Sequence, residues 1–177
     1  DLLQRDMPEL YHVPVQGAAG AWHLVGLFNW QNCPASKRLT LPQLGIPTWL
    51  PVCVFDFWAQ RLWLTSDPEL LFPEIPAHGC RLLRLCTLDS LLPILLGDTL
   101  HITQGLEIAE WQAGAGHLAI TTLDLGRQAR GDLWLRLPAP PKKAVCNEAP
   151  MELMEEGQGI YRLPLRFAGK ARSEVFF

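Results

Sequence analysis

Short apolar runs of strand length follow one another along the chain, and prolines and glycines separate them. The fifteen prolines and fourteen glycines leave little room for long helices. The pattern therefore predicts an all-β chain. Predicted strands lie at 11–17, 21–31, 37–46, 99–105, 106–111, 117–125, 131–138, 160–167 and 172–177, and 75–88 is predicted to be a turn followed by a strand.

Two of these segments alternate apolar and polar residues with the period of two that a half-buried strand requires. In the segment 131–138, Leu133, Leu135 and Leu137 are expected to face a core, and Trp134 is expected to face the surface. In the segment 160–167, the odd-numbered residues from Tyr161 to Phe167 are expected to face a core.

The aromatic stretch 51–64 is predicted to be a long strand or a hairpin with its turn near Ala59-Gln60, and 66–72 is predicted to be a loop. Polar turn residues and a proline place the boundary between the two halves of the chain, here called the seam, within 87–99. The apolar residues of this segment are expected to pack between two sandwiches. The fold class is two antiparallel β-sandwich domains in tandem, residues 1–88 and 89–177.

Composition is that of a globular protein, with 49% hydrophobic and 19% charged residues. The net charge of −3 and the absence of a basic cluster argue against a nucleic-acid partner. No apolar window is long enough for a membrane-spanning helix, and no signal peptide is visible. Because the chain begins with Asp1 rather than Met, it is expected to be a fragment or a processed form of a longer protein.

The five cysteines are odd in number, irregularly spaced and without a CxxC pair. This argues against a disulfide framework and a zinc cluster, and it favours the cytoplasm. The best metal candidate is His78-Gly79-Cys80 with Cys86 nearby, although a turn histidine and a buried cysteine are commoner. No metal is predicted. No P-loop or GxGxxG motif is present, and no cofactor is expected.

Catalytic groups are hard to find in this sequence. No GxSxG motif occurs, and Glu155-Glu156 is expected at a solvated hairpin tip. Asp56 lies within the aromatic stretch and is either a shielded acid or a residue whose side chain fixes a neighbouring loop. A single acid without a partner carries out little chemistry, so the loop-fixing role is favoured.

Seven tryptophans are compatible with sugar-binding platforms, because an aromatic face stacks on the apolar face of a hexose as it packs in a core. In an all-β chain most tryptophans pack in the core or at its rim. The candidates for carbohydrate binding are Trp63, Trp111 and Trp134.

Four motifs occur in a fixed order in the first half: Leu27-Phe28-Asn29-Trp30, Leu44-Gly45-Ile46, Asp56-Phe57-Trp58 and the segment 76–85. As an ordered set over about residues 10–86, they resemble the β-sandwich that follows the catalytic barrel in α-galactosidase-like (melibiase) enzymes of glycoside hydrolase families 27 and 36. The differences from the family pattern are Phe57, where leucine is usual, and an alanine inserted in the fourth motif. The segment 96–111 resembles, more weakly, a further β-domain of some bacterial members.

The resemblance implies that the motif residues serve the fold rather than catalysis; these are Asn29, Trp30, Asp56, Trp58, His78 and Gly79. It also implies that the catalytic aspartates lie on a barrel of about 250 residues, which is absent here, so no catalytic residue is assigned to this chain. The expected partner is the catalytic barrel of the same longer chain.

Two alternatives remain open. The chain is a stand-alone carbohydrate-binding module, in which case exposed tryptophans bind the sugar, or it is a protein-interaction domain. An interaction domain predicts an exposed apolar face larger than a few hundred Å² and self-association of the isolated chain. The expected places are Leu88–Leu96 and Leu2-Leu3.

Overall fold

A computed structural model describes residues 7–177, and antiparallel β-strands make up most of it, which confirms the all-β prediction. The described part also contains a short 3-10 helix, Pro42–Leu44. The strands are β1 (Leu10–Gly17), β2 (Gly20–Phe28), β3 (Ala35–Thr40), β4 (Val52–Asp56), β5 (Arg61–Thr65), β6 (Glu69–Ile75), β7 (Cys80–Thr87), β8 (Ile94–Asp98), β9 (Ile108–Ala113), β10 (His117–Thr122), β11 (Ala129–Arg136), β12 (Lys143–Cys146), β13 (Ala149–Met151), β14 (Met154–Gly157), β15 (Ile160–Phe167) and β16 (Arg172–Phe176).

The described chain forms two compact units. Unit 1 contains residues 7–15 and 22–87, and unit 2 contains residues 16–21 and 88–177. The tip of the first hairpin, residues 16–21, therefore belongs to unit 2, where Ala19 packs against the hydrophobic core. The predicted division into 1–88 and 89–177 instead assigns this hairpin tip to the first domain.

Unit 1 is built from a five-stranded sheet in the order β1-β2-β7-β4-β5 and a two-stranded sheet, β3-β6. Alternate residues of both sheets form one apolar core, with Val25 and Leu85 from the first sheet and Leu39 and Phe72 from the second. Strand β1 lies at the edge of its sheet, as Pro14 predicts, because proline lacks the N–H that an interior strand needs.

The opposite face of the five-stranded sheet is also buried at its centre. Trp22 and Phe55 are fully buried there, and Arg84 is buried beside them. The guanidinium carbon of Arg84 lies 4.4 Å from the centre of the Trp22 ring, a cation–π contact that stabilises a buried charge. The central strands β2, β4 and β7 are therefore covered on both faces around these residues, which explains why most of their positions are apolar.

Unit 2 is a β-sandwich of a five-stranded sheet, β13-β12-β16-β10-β9, and a four-stranded sheet, β14-β15-β11-β8. The predicted inward residues Leu133, Leu135 and Leu137 of the segment 131–138 are buried in its core. The odd-numbered residues of β15 from Tyr161 to Phe167 are buried in the same core. The alternation therefore identified the inner faces of both segments correctly.

Segment 99–105 is not a strand, contrary to the prediction. The carboxylate of Asp98 accepts the backbone N–H of Leu100, and the ring of His101 bonds both the backbone N–H and the hydroxyl of Thr103. Gln104 has a positive φ of 51°. Short polar side chains here satisfy the local backbone, and the segment folds as turns rather than as a ladder.

Five strands were not predicted from the sequence, namely β6, β8, β12, β13 and β14, and two of them contradict a stated expectation. Residues 66–72 were expected to be a loop, but Glu69–Ile75 is β6, whose alternate residues Leu70 and Phe72 are buried. The apolar part of the 87–99 seam was expected to pack between sandwiches, but Ile94–Asp98 is β8 and pairs with β11. The stretch 51–64 is the predicted hairpin, β4-β5, with its turn at 57–60.

Strand β15 is open along part of one side. Strand β14 pairs with residues 160–162 only, so it stops before Pro164. Asp132 of β11 lies directly opposite Pro164. Its backbone N–H donates to the hydroxyl of Thr99 and its C=O accepts the N–H of Thr99, so both groups point away from β15. The nitrogen of Pro164 therefore points away from β11, towards the side that β14 leaves open, and no ladder hydrogen bond is lost there.

Close packing of the chain at Gly131 yields the first prediction. A Cβ at this position would lie 2.9 Å from the backbone of Thr99 and Leu100, which cannot move aside. We expect Gly131→Ala to lower the free energy of unfolding by about 1–3 kcal/mol in urea denaturation. The matched control is Gly114→Ala, whose nearest neighbour would be 3.7 Å away. Equal stability of the two variants would contradict the prediction.

Candidate functional site

The buried side chain of Asn29 is the centre of the motif residues. It follows β2, and its Nδ2 lies 2.9 Å from the carbonyl oxygens of Cys33, Ile75 and Pro76. Its Oδ1 accepts the N–H of Gln31 at 3.0 Å. Asn29 therefore ties the end of β2 to the connection between β6 and β7, and both N–H donors of its side-chain amide are used within the fold.

His78 and Gly79 form the turn that leads into β7. The backbone N–H of Gly79 donates to the carbonyl of Pro76 at 2.9 Å, and the carbonyl of Gly79 accepts the N–H of Asn29 at 2.9 Å. His78 has a positive φ of 55°, and its Nε2 lies 2.9 Å from Oδ1 of Asn32. The fourth motif thus meets the first in one network of hydrogen bonds.

Asp56 is buried, and both its carboxylate oxygens have partners. Oδ1 accepts the backbone N–H of Ala59 at 3.1 Å, and Oδ2 forms an ion pair with Nη1 of Arg81 at 2.9 Å. The first bond holds the β4-β5 turn, and the second ties β4 to β7. Of the two roles considered for Asp56, this geometry matches the residue that fixes a loop.

The candidate metal cluster does not come together. Within the described residues, no group of three or more His, Cys, Asp or Glu side chains could hold a metal ion. Cys86 lies directly opposite Cys53 on the neighbouring strand, and both are buried. Burial, followed by a hydrogen bond to Cys86, raises the pKa of the Cys53 thiol well above its ordinary value, so this thiol stays protonated.

The three tryptophans proposed for carbohydrate binding lie at different depths. Trp63 packs against the core of unit 1, with its ring 6.1 Å from that of Phe72, and Trp111 packs against the core of unit 2. Trp134 is 5% exposed, so its expected surface position is wrong. An alternating sequence pattern assigns residues to the two faces of a strand, but it does not show whether other residues bury the face that points away from the core. Gly97, directly opposite, also leaves room for the indole.

Two other tryptophans are much more exposed, Trp49 at 81% and Trp58 at 59%. They flank opposite ends of β4, a five-residue strand that spans roughly 17 Å, so they do not form one platform for a sugar ring. Trp58 packs edge-to-face on Phe57 at 4.9 Å and lies outside the core. Trp58 therefore lies exposed in the β4-β5 turn, and its expected role in the structural motif stays a prediction.

An aromatic row runs across the β1-β2 edge of unit 1, and we define it as Tyr11, Phe28 and Trp30. Tyr11 meets Phe28 edge-to-face at 5.3 Å, and Phe28 stacks on Trp30 at 5.1 Å with the rings nearly parallel. The indole N–H of Trp30 donates to the carbonyl of Pro8 at 3.0 Å, which fixes the ring. These contacts within unit 1 fix the three rings in the absence of a partner.

The aromatic row is accessible. Tyr11 is 49% exposed and Trp30 is 38% exposed, and exposed Val13 follows on the same face of β1. A Cβ at Gly26 would lie 2.8 Å from the Phe28 ring, so only glycine lets that ring lie flat against β2. Aromatic rings that are half-exposed and already held in one orientation are typical of protein interfaces.

A histidine pair lies near this edge. His12 Nε2 and His23 Nδ1 are 2.8 Å apart, and the two rings are stacked at 5.0 Å. Burial first, and then the neighbouring His12, lower the pKa of His23 below its ordinary value. Two protonated rings would place two N–H donors against each other, so the pair requires at least one neutral ring.

The apolar places expected from sequence for an interaction face have a mixed outcome. Leu91 and Leu92 are exposed, whereas Leu95 and Leu96 are buried in β8. Leu2-Leu3 lies outside the described residues. The sequence missed the aromatic row, because only the pairing of β1 with β2 brings its members together.

No protein-family model matches the chain, and no curated protein matches it. Between residues 7 and 177, no helix is long and apolar enough to cross a membrane.

The Asn29 network gives a prediction of stability. Asn29→Ala removes hydrogen bonds to three buried or half-buried carbonyls, so we expect the free energy of unfolding to fall by about 2–4 kcal/mol. The matched control is exposed Asn32→Ala, for which we expect a loss below about 1 kcal/mol. Urea denaturation of both variants tests this, and similar losses would contradict it.

The histidine pair gives a prediction of pH dependence. Because the folded state lowers the pKa of His23, the unfolded chain binds the proton first as the pH falls below about 6.5. The contribution of His23 to the free energy of unfolding is therefore fully present above that pH, and it decreases as the pH falls towards the folded-state pKa. We expect His23→Gln to reduce the drop in urea midpoint between about pH 7.5 and about pH 5. Exposed His101→Gln is the control, and an unchanged drop in His23→Gln would refute the prediction.

Proposed function

We propose that this chain is the non-catalytic accessory region of an α-galactosidase-like glycoside hydrolase. Its role is to pack on a catalytic (β/α)8 barrel and stabilise it. The barrel lies outside this sequence, so hydrolysis belongs to the partner and not to the chain itself. The odd number and irregular spacing of the cysteines support a reducing compartment, the cytoplasm, for the whole enzyme.

The observation that carries the proposal is the aromatic row. A monomeric protein rarely leaves fixed aromatic rings exposed side by side unless they meet another surface. Tyr11, Phe28 and Trp30 supply rigid apolar area at small cost in side-chain entropy, and the Tyr hydroxyl is a polar group at the rim. A barrel docked on this face would bury them.

The motif residues support the proposal in a second way. Asn29, Asp56 and Gly79 use their polar groups on the backbone and on Arg81, so they maintain the fold. Residues with this role match the family resemblance, in which the sandwich motifs are structural and the catalytic acids lie elsewhere. A sugar platform built from the three candidate tryptophans gains no such support, because Trp134 is buried and Trp63 and Trp111 pack against the cores.

The decisive measurement is the mass of the native protein in its source cells, detected with an antibody against this chain. We expect a band heavier than 19.9 kDa by at least a barrel, and hydrolysis of an aryl α-galactoside by that heavier protein. The purified 177-residue chain should show no turnover. A native band near 20 kDa, or turnover by the chain alone, would overturn the proposal.

The docking role of the aromatic row is tested in the heavier protein. We expect the double variant Tyr11→Ser/Trp30→Ser to lower its Tm by several degrees, because the barrel contact loses its aromatic area. The control is Leu71→Ser, which removes an apolar side chain that is 61% exposed on β6. Equal Tm values for the two variants would show that the row is not the docking face. Self-association of the isolated chain that the double variant abolishes would instead assign the row to a second copy.

A further inference from the structure

Unit 2 contains a cleft of about 580 Å³, within the size range of small-molecule sites. Strands β11, β14 and β15 and the β12-β13 hairpin line it. Its charged residues are Arg130, Asp132, Arg162 and Arg166, and apolar surface comes from residues including Met151 and Met154. Arginines therefore outnumber carboxylates in the lining by three to one.

The register places two of these arginines against each other. Arg130 on β11 is directly opposite Arg166 on β15, and both are exposed. Since Asp132 and Pro164 form a non-hydrogen-bonded pair, the pair two residues along is of the same kind, in which side chains approach most closely. Like charges at such a position destabilise the sheet.

The third arginine of the cleft, Arg162, has carboxylate partners, and the other two differ from it in this respect. Arg162 forms ion pairs with Glu156 at 3.0 Å and with Asp132 at 3.6 Å. Within residues 7–177, neither Arg130 nor Arg166 has a side-chain ion pair or hydrogen bond. The cleft thus presents two guanidiniums, with ten N–H donors in planar forks, and no anion among residues 7–177 satisfies them.

We propose that this cleft binds the carboxylate of a uronic acid, a sugar with an apolar ring face and one negative charge. The carboxylate lies between Arg130 and Arg166, where it neutralises their repulsion and accepts bidentate hydrogen bonds. The sugar ring lies against Met151 and Met154, which supply flexible apolar surface. Asp132 stays paired with Arg162, so its charge does not oppose the ligand. The site is independent of the proposed barrel partner.

Calorimetric titration of the purified chain at low salt tests the proposal, with galacturonate as the probe. Galactose is the matched ligand control, since it has the same ring without the carboxylate, and acetate has the carboxylate without the ring. We expect galacturonate to bind with a Kd in the millimolar range or tighter, and galactose and acetate at least roughly tenfold more weakly.

Variants connect that binding to the two guanidiniums. We expect Arg130→Gln/Arg166→Gln to lose roughly tenfold or more in affinity for galacturonate. Its Tm without ligand should be unchanged or higher, because the like charges are gone. Arg38→Gln, an exposed arginine of unit 1 that does not line the cleft, should bind as the wild type does. No binding of galacturonate, equal binding of galactose or acetate, full binding by the double variant, or a markedly lower Tm of that variant would each overturn the proposal.

Discussion

The hydrogen bonds of the Asn29 amide hold together the two layers of unit 1. Asn29 follows β2 of the five-stranded sheet, whereas Ile75 ends β6 of the two-stranded sheet, and the amide joins them at 2.9 Å. A side chain that spans two layers fixes their separation at one end of the sandwich. The apolar core can then pack at high density between sheets whose spacing is already set.

The same constraint explains why motifs far apart in the sequence occur together. Asn29 and Pro76 are 47 positions apart, and Asp56 and Arg81 are 25 apart, yet each pair forms one contact. Both contacts hold β7 or the turn before it. A chain that keeps this arrangement must keep all the motifs in order, which is why an ordered set of weak motifs carries more information than any single one.

Local patterns in the sequence predicted local features well. The alternation in 160–167 gave the inward residues of β15, and Pro14 gave an edge strand. Segment 99–105 has apolar residues at strand spacing, but the side chains of Asp98 and His101 accept hydrogen bonds from backbone N–H groups, and these bonds favour turns.

Features that depend on pairing could not be predicted. Neither the contact of Tyr11 with Phe28 nor the opposition of Arg130 and Arg166 follows from the sequence, since each requires the register of two strands. The burial of Trp134 depends in addition on what covers the second face of its sheet.

Proline occurs where strands of this protein have an unpaired side. Pro14 lies in edge strand β1, Pro150 lies in edge strand β13, and the nitrogen of Pro164 points to the open side of β15. Each removes a donor that an added strand would need, which blocks β-augmentation and edge-to-edge aggregation at these places. Recognition at these edges consequently relies on side chains, so its specificity resides in amino-acid identity and not in backbone complementarity.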